Sequence, residues 1–426
     1  MDSLSADVLI IGAGPAGLAA AAACRHSNVT YRSFDAGGRL EQRSRSDSSS
    51  LVQGTGGAGL YSDGKFSFFP SATHLWRLQD SAILQRAYHW FEELVSPYGL
   101  AVPPFESDAP LTEASIPRGQ LRQKRYKSEY MSFAERSRLI SILEQEHQPF
   151  VVCGAYARFD IEHHCKVLTC EVERLGGVTK VTPRRGIVVA TGRHGPLAHH
   201  LTTALLPTEF RYVELGVRIE QLSGQFFLRD QPDLDPKLLL HVTPGSECRT
   251  FCCCRDGEAV TTLTPEGVTS ISGRADVGVT GRSNVGFNVR TTDEALGAQI
   301  WQEYRNVEQA VDVHETAWMQ GRELVGNESL RVVTSWIGPT AASLLMRGLA
   351  NLIDAYPEIG STRTRLLGPC VEGVGWYPAI DRSLRVAPYP LWVAGDATGI
   401  FRGLTASFVS GYYAGLCASL AVPNDR

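Results

Sequence analysis

The chain has 426 residues, 43% of them apolar and 20% charged, enough for two domains with real cores and ordinary for a globular protein. Its 41 basic and 45 acidic residues leave a net charge of −4, so no global positive field draws it to nucleic acid or to an anionic membrane. Ten cysteines at this length make no disulfide framework, and there is no Cys-x-x-Cys pair and no secretory signal, so the thiols are expected reduced in a cytoplasm.

The predicted elements begin with a strand at Val8–Ile11, a glycine turn, a helix from about Ala16 to Arg25, and a second strand from Val29 to Phe34 closed by Asp35. Residues 8–24 carry no charge, yet they are not an export signal or a membrane span. Asp2 and Asp7 precede them without any Lys or Arg, and three glycines and Pro15 interrupt the run. The polar stretch Ser44–Ser50 reads as an exposed loop. The segment Gly54-Thr55-Gly56-Gly57-Ala58-Gly59 is too glycine-dense for a helix and suits close approach of backbone to a ligand. Helical spacing recurs at 76–95 and 134–147. The basic stretch between them, Arg118 to Lys127, reads as a solvated loop, with an anion or RNA contact as the alternative.

From Phe150 to Val189 the pattern becomes strands, with a turn at Gly176-Gly177, ending in a run that delivers Ala190-Thr191-Gly192. Strands are again expected over 212–290, clearest at Val213–Ile219 and Val285–Val289. Helices follow at 294–310 and 340–355. A strand at Leu391–Ala394, a Gly395-Asp396 turn and a helix from about Gly403 to Leu420 close the chain. The expected fold class is α/β: a Rossmann-like, doubly wound FAD-binding domain built from 1–75, 150–210 and 365–426. A second α+β substrate domain on an antiparallel sheet would take 76–149 and 211–364.

The three glycines of Gly12-x-Gly14-x-x-Gly17 serve, in order, the tight turn, close approach to a pyrophosphate, and close packing of helix on strand. The turn includes Pro15 and Ala16 and sets the pyrophosphate at the positive end of a helix. Asp35, 18 residues beyond Gly17, suits a carboxylate accepting hydrogen bonds from the adenosine ribose. Ala36 continues that contact. Arg39 is read as a phosphate neighbour, with a surface salt bridge as the alternative. Near the other end, Asp396 is placed to hold ribityl hydroxyls. Gly403 and Leu404 open a helix whose N-terminus stabilises negative charge at the pyrimidine edge of a reduced flavin. These two ends together point to FAD.

The stretches GAGPAG (12–17), GGAGLYSDGK (56–65), ATGRHG (190–195), ELGVRIE (214–220), TFCCC (250–254), GVGWYP (373–378) and GDATGIFRGL (395–404) span nearly the whole chain. In them the chain resembles the FAD-dependent dehydrogenases whose cofactor domain is similar to that of glutathione reductase, and within them a bacterial branch with the SDGK loop and TFC-x-C segment. The resemblance implies bound FAD and redox work on an organic substrate. Arg255 stands where that branch usually has Pro, and Ala406 where Gln is common, beside the expected flavin.

Lys65 is a candidate base, its pKa lowered by burial, with a structural role in the glycine loop (Gly57 included) as the alternative. Cys252 and Cys254, at period two on a strand, are read first as core filling, with a substrate-site or flavin-anchoring role for Cys254 left open. Trp376, Tyr377 and Phe401 are read as an aromatic pocket wall and Arg402 as a reader of an anionic group. No metal site is expected; His163, His164 and Cys165 lack paired ligand spacing. The expected function is hydride removal from a small organic molecule. An NADPH- or NADH-fed flavin monooxygenase or reductase is the alternative, although no second Gly-x-Gly-x-x-Gly and no mid-chain Asp-Gly segment of the hydroxylase kind is present. A weaker alternative is an RNA-associated flavoprotein. Neither nucleic acid nor membrane is an expected partner.

Overall fold

The computed structural model describes residues 6–105, 114–118, 121–162, 167–174, 177–195, 206–264, 266–307, 325–361 and 363–423. Two sheets organise them. The first is five-stranded and parallel, in the order Leu391–Val393, Gly186–Val189, Val8–Ile11, Tyr31–Asp35, Val151–Cys153. Its central strand is buried throughout, which is why it reads as an unbroken apolar run.

Val8 and Ile10 face a layer of helices, and Leu9 and Ile11 face the other side. The helix Pro15–His26 and the final helix Leu404–Leu420 pack together on the first face. A Cβ on Gly411 would stand 2.1 Å from the Ala16 carbonyl oxygen, and one on Gly415 would stand 2.6 Å from that of Ala20. Alanines on one helix and glycines on the other thus let the two ends of the chain pack backbone to backbone. The second face is covered by an antiparallel sheet, Tyr156–Glu162, Val167–Arg174 and Gly177–Val181, in the place a doubly wound domain gives to helices.

The larger sheet is seven-stranded and antiparallel: Arg365–Pro378, Thr208–Leu222, Arg282–Thr291, Ser246–Cys254, Lys237–Thr243, Leu121–Arg125, Ala114–Arg118. Side chains alternate across it. Val213, Leu215, Val217, Phe287, Leu238 and Leu240 point one way, into a core with the helices Glu294–Asn306, Asn327–Ile337 and Pro339–Ala355. Glu214, Arg249, Arg290, Lys237 and Lys124 lie at the alternate positions and face the cofactor layer.

Several expectations change. The basic stretch is not a loop: Leu121–Arg125 is a strand, with Leu121 and Gln123 buried and Lys124 on the charged face. The 76–149 segment is shared between the layers. Its helices Ser81–Val95 and Phe133–His147 join the core of the parallel sheet, its strands Ala114–Arg118 and Leu121–Arg125 extend the large sheet, and Ser128–Tyr130 pairs with Lys65–Ser67. The helix Asn327–Ile337 adds to the expected elements. Helix starts follow their caps: Asp80 accepts from the Ile83 N–H, and Ser132 and Glu135 form a reciprocal box. No helix among the described residues is long and apolar enough to cross a membrane.

Candidate active site

A cavity of about 620 Å³ runs between the two layers. Its first wall is the N-terminal turn, through Gly12, Gly14, Pro15 and Ala16, with Asp35, Ala36 and Gly57 beside it. Gly17 lies beneath the turn; a Cβ there would stand 1.8 Å from the Gly12 carbonyl oxygen. Asp35 is engaged by the cradle itself. Its Oδ2 accepts from the Ala13 N–H at 2.7 Å, and its Oδ1 accepts from the N–H groups of Gly37 and Gly54, each at 2.8 Å. Arg39 lies outside the lining. Gly37 and Gly38 fold against Gly54, and the chain turns into a short 3-10 segment at Leu40–Gln42.

The second wall comes from the other strand ends of the parallel sheet. Ala190, Thr191 and Gly192 line it, as do Gly395 and Asp396, followed by Gly403 and Leu404 at the start of the final helix. Ala406 does not; it packs in the core, and Ser407 lines the cavity instead. Asp396 Oδ2 accepts from Arg193 Nε at 3.2 Å, while its buried Oδ1 has no hydrogen-bond partner. Thr191 Oγ1 and His194 Nδ1 are likewise buried and unpartnered.

The charged face of the large sheet closes the cavity in two clusters. In the first, Arg249 donates two bonds to Glu214, at 2.9 and 2.7 Å. Arg402 donates to the same Glu214 at 2.9 Å and also to Glu372, which Arg193 shares. Burial alone would raise the Glu214 pKa; Arg249, Arg402 and Arg290 reverse this and hold it far below the usual carboxylate range. Burial pushes His194 down to about 3, helped by Arg193 and Arg402, so its imidazole is neutral at neutral pH. Arg402 lines the cavity as expected of an anion reader, but two carboxylates already hold it.

The second cluster surrounds the SDGK loop. Lys65 Nζ lies 2.8 Å from Asp235 Oδ2, and both side chains are nearly buried. Burial would lower the Lys65 pKa, but the Asp235 carboxylate overrides it and raises the pKa instead. The expectation of a neutral lysine base is therefore corrected: Lys65 stays an ammonium. Asp63 is pushed up by burial and by Asp235. Lys65 Nζ is 4.9 Å from the centroid of the Tyr126 ring and Lys237 Nζ 5.5 Å. Burial would raise the Tyr126 pKa, yet Lys237 and Lys65 together bring it below that of an ordinary phenol.

Two other expected catalytic side chains lie outside the lining. Cys252 has φ of +50°, and a bulge between Phe251 and Cys254 breaks the period of two. Cys252 thus lines the cavity, while Cys254 is fully buried, with its Sγ 3.7 Å from a nitrogen of Arg218. Tyr377 is 1% exposed, packs on Tyr212 and accepts a hydrogen bond from the Val374 N–H at 3.1 Å. Trp376 and Phe401 do not line the cavity either; the aromatic side chains that do are Phe34, Tyr61, Tyr126 and Phe251. His163, His164 and Cys165 lie outside the described residues. Among those described, no group of three or more His, Cys, Asp or Glu is gathered to hold a metal ion.

Sequence reasoning missed Asp235, Tyr126, Lys237, Arg249 and Arg290. For Lys237, Arg249 and Arg290 the signal that was there is charge at alternate positions of strands whose other positions are apolar, since a sheet face carrying such charge must cover something other than a core. Tyr126 and Asp235 lie just outside strands and carry no such pattern.

No protein-family model matches the chain, and no curated protein matches it. Among solved structures the chain is similar to a geranylgeranyl bacteriochlorophyll reductase-like protein from Thermoplasma acidophilum, at 13% identity, TM-score 0.45, covering 97% of this chain and 78% of that one. It is similar to a flavoprotein/dehydrogenase from Cytophaga hutchinsonii at 13% identity, TM-score 0.41, with coverages of 97% and 78%. It is also similar to CtdE in complex with FAD and a substrate, at 12% identity, TM-score 0.38, with coverages of 97% and 81%. Fits this loose carry no chemistry across, so the site is read from its own residues.

Proposed function

We propose that this chain is an FAD-dependent oxidoreductase, of the dehydrogenase or oxidase type, acting on a small organic molecule. One observation carries the reading: a single cavity joins the Gly12–Gly17 turn to the Gly395–Leu404 turn and ends on a charged sheet face. The residues fit the cofactor. Gly14 and Gly57 pass backbone to backbone at the start of the first helix, and both line the cavity. The unpartnered Oδ1 of Asp396 and Oγ1 of Thr191 are acceptors suited to ribityl hydroxyls. Gly403, whose Cβ would meet nothing within 4 Å, leaves the N-terminus of the final helix open to the ring.

When bound, FAD supplies a hydride acceptor; the chain supplies position and charge. In this reading the helix starting at Leu404 faces the electron-rich edge of the ring. Tyr126, held between Lys65 and Lys237, exchanges the proton that accompanies hydride removal. Lys65 stays charged and keeps that phenol acidic. In this reading the seven-stranded sheet, to which Arg365–Pro378 belongs, is the substrate side.

The test is anaerobic mixing of the purified protein with a metabolite panel and with NADPH and NADH, following visible absorbance. Bleaching by an organic substrate alone supports the reading. Rapid bleaching by NADPH alone moves the assignment to a reductase or monooxygenase. A colourless protein that takes up no added FAD ends it.

A further inference from the structure

At one end of the cavity, four guanidinium groups, Arg193, Arg249, Arg290 and Arg402, meet three carboxylates, Glu214, Glu372 and Asp396. Three of the arginines are ion-paired. Arg290 is not. Its guanidinium carbon lies 3.8 Å from the centroid of the Tyr212 ring. No carboxylate among the described residues lies within 4.0 Å of it, and its buried Nε has no hydrogen-bond partner.

A buried cation with no ion pair of its own is costly, and Glu214, opposite it across the strands but engaged by Arg249 and Arg402, relieves it only in part. Arg249 stands opposite Asn288, two residues from Arg290 on the same face, and adds like charge. Burial and Arg249 both press against the Arg290 charge. Four cations against three anions leave one positive charge, so one monoanion completes the cluster. Beside it, His74 lines the cavity and is held toward its neutral form by burial and then by Arg211.

We propose that Arg290, with Arg249 beside it, binds the carboxylate of a small organic acid, which makes the substrate of the site an organic acid. A guanidinium offers a planar fork that matches a carboxylate with two parallel bonds, and a single negative charge balances the cluster where a phosphate dianion would exceed it. The reacting end of the acid then lies toward Tyr126. Arg290 pairs with Glu247, which pairs with His241, four residues from Lys237, so the two stations are about 13 Å apart along the strands. The word substrate rests on the flavoenzyme reading; the anion site itself does not.

The test is calorimetric titration of the protein as purified with benzoate, pyruvate and acetate, and with benzamide as the neutral control. The carboxylates are expected to bind and benzamide is not. Arg290→Leu is expected to weaken carboxylate binding about 10- to 100-fold, the effect of a lost charge-assisted bond, with Arg290→Lys between the two. Circular dichroism checks that both variants fold, and flavin content and midpoint potential are expected to stay as in the parent protein. Absence of binding by all three carboxylates overturns the proposal, as does equal binding by Arg290→Leu. So does a shifted flavin potential with carboxylate affinity unchanged, which makes Arg290 a partner of the flavin. A colourless protein that still binds benzoate through Arg290 removes the FAD reading and leaves this site standing.

Discussion

The Asp35 carboxylate accepts a hydrogen bond from the Ala13 N–H at 2.7 Å, across the mouth of the glycine turn. With its other oxygen on Gly37 and Gly54, this side chain welds the first helix, the second strand and the glycine loop into one cradle. The acidic residue that sequence spacing assigns to the ribose is thus first a fastener for the turn that would hold the pyrophosphate.

The glycines of that turn are expected to separate into two kinds. At Gly14 φ is −71° and an added Cβ would meet only the Gly57 backbone, its Cα at 3.7 Å, an ordinary contact. Gly14→Ala is therefore expected to keep its stability within about 1 kcal/mol but to lose flavin, because the methyl group fills the space left for the ligand. Gly17→Ala drives a methyl to 1.8 Å from a backbone oxygen and is expected to lose about 3 kcal/mol or more. Thermal melts paired with visible spectra check both. A fully yellow Gly14→Ala protein contradicts the nucleotide assignment.

Lys65→Met leaves the Asp235 carboxylate, 4% exposed, without its ammonium partner. The expected loss is about 3–5 kcal/mol in a denaturant titration at neutral pH. Asp235 then has a raised folded pKa, so the deficit is expected to shrink as the pH falls through that value, where the folded protein takes up the proton. Adding Asp235→Asn is expected to recover part of the loss. A neutral Lys65 acting as a base predicts the opposite, a small stability effect at neutral pH.

Tyr126 carries a phenol held below its ordinary range by Lys237 and Lys65, despite burial. Ultraviolet difference titration is expected to show a phenolate signal at lower pH in the parent protein than in Tyr126→Phe. Lys237→Met is expected to move that signal to higher pH. Identical titration curves for the parent and Tyr126→Phe remove Tyr126 as the proton-exchanging group.

His147 reports on stability away from the cavity. It is fully buried, its Nδ1 lies 2.5 Å from the Tyr31 hydroxyl, and burial, then Arg25, brings its pKa down from 6.5 to about 4. Below pH 6.5 the unfolded chain binds a proton that the folded one refuses, so stability present above pH 6.5 is lost as the pH falls toward 4. The full contribution is about 3 kcal/mol. His147→Gln is expected to flatten this part of the stability–pH curve, measured by denaturant unfolding at a series of pH values.

Local patterns in the chain were enough to find the two ends of the site. Gly12–Gly17 after an apolar strand, and Gly395-Asp396 before an Ala- and Gly-rich helix, each pair a turn fixed by glycine backbone with the helix it starts. The α/β class followed from the same signals. The antiparallel sheet was legible at Val213–Ile219 and Val285–Val289, where apolar residues alternate with polar ones.

What the alternate residues meet came only from folding. Lys65 is 170 positions from Asp235 and Arg402 is 188 from Glu214. Whether a lysine is a neutral base or a fixed cation depends on the carboxylate opposite it, and no local spacing encodes that. The bulge at Cys252 sent Cys252 to the cavity and Cys254 to the core, because one extra residue in a strand exchanges its faces. Tyr377 is kept out of the lining by packing: its ring lies under Gly399 and against Tyr212, and its hydroxyl accepts from the Val374 N–H. Local chemistry wrote the cofactor cradle, while long-range strand pairing set the charges around the substrate, since electrostatics depends on distance in space and not along the chain.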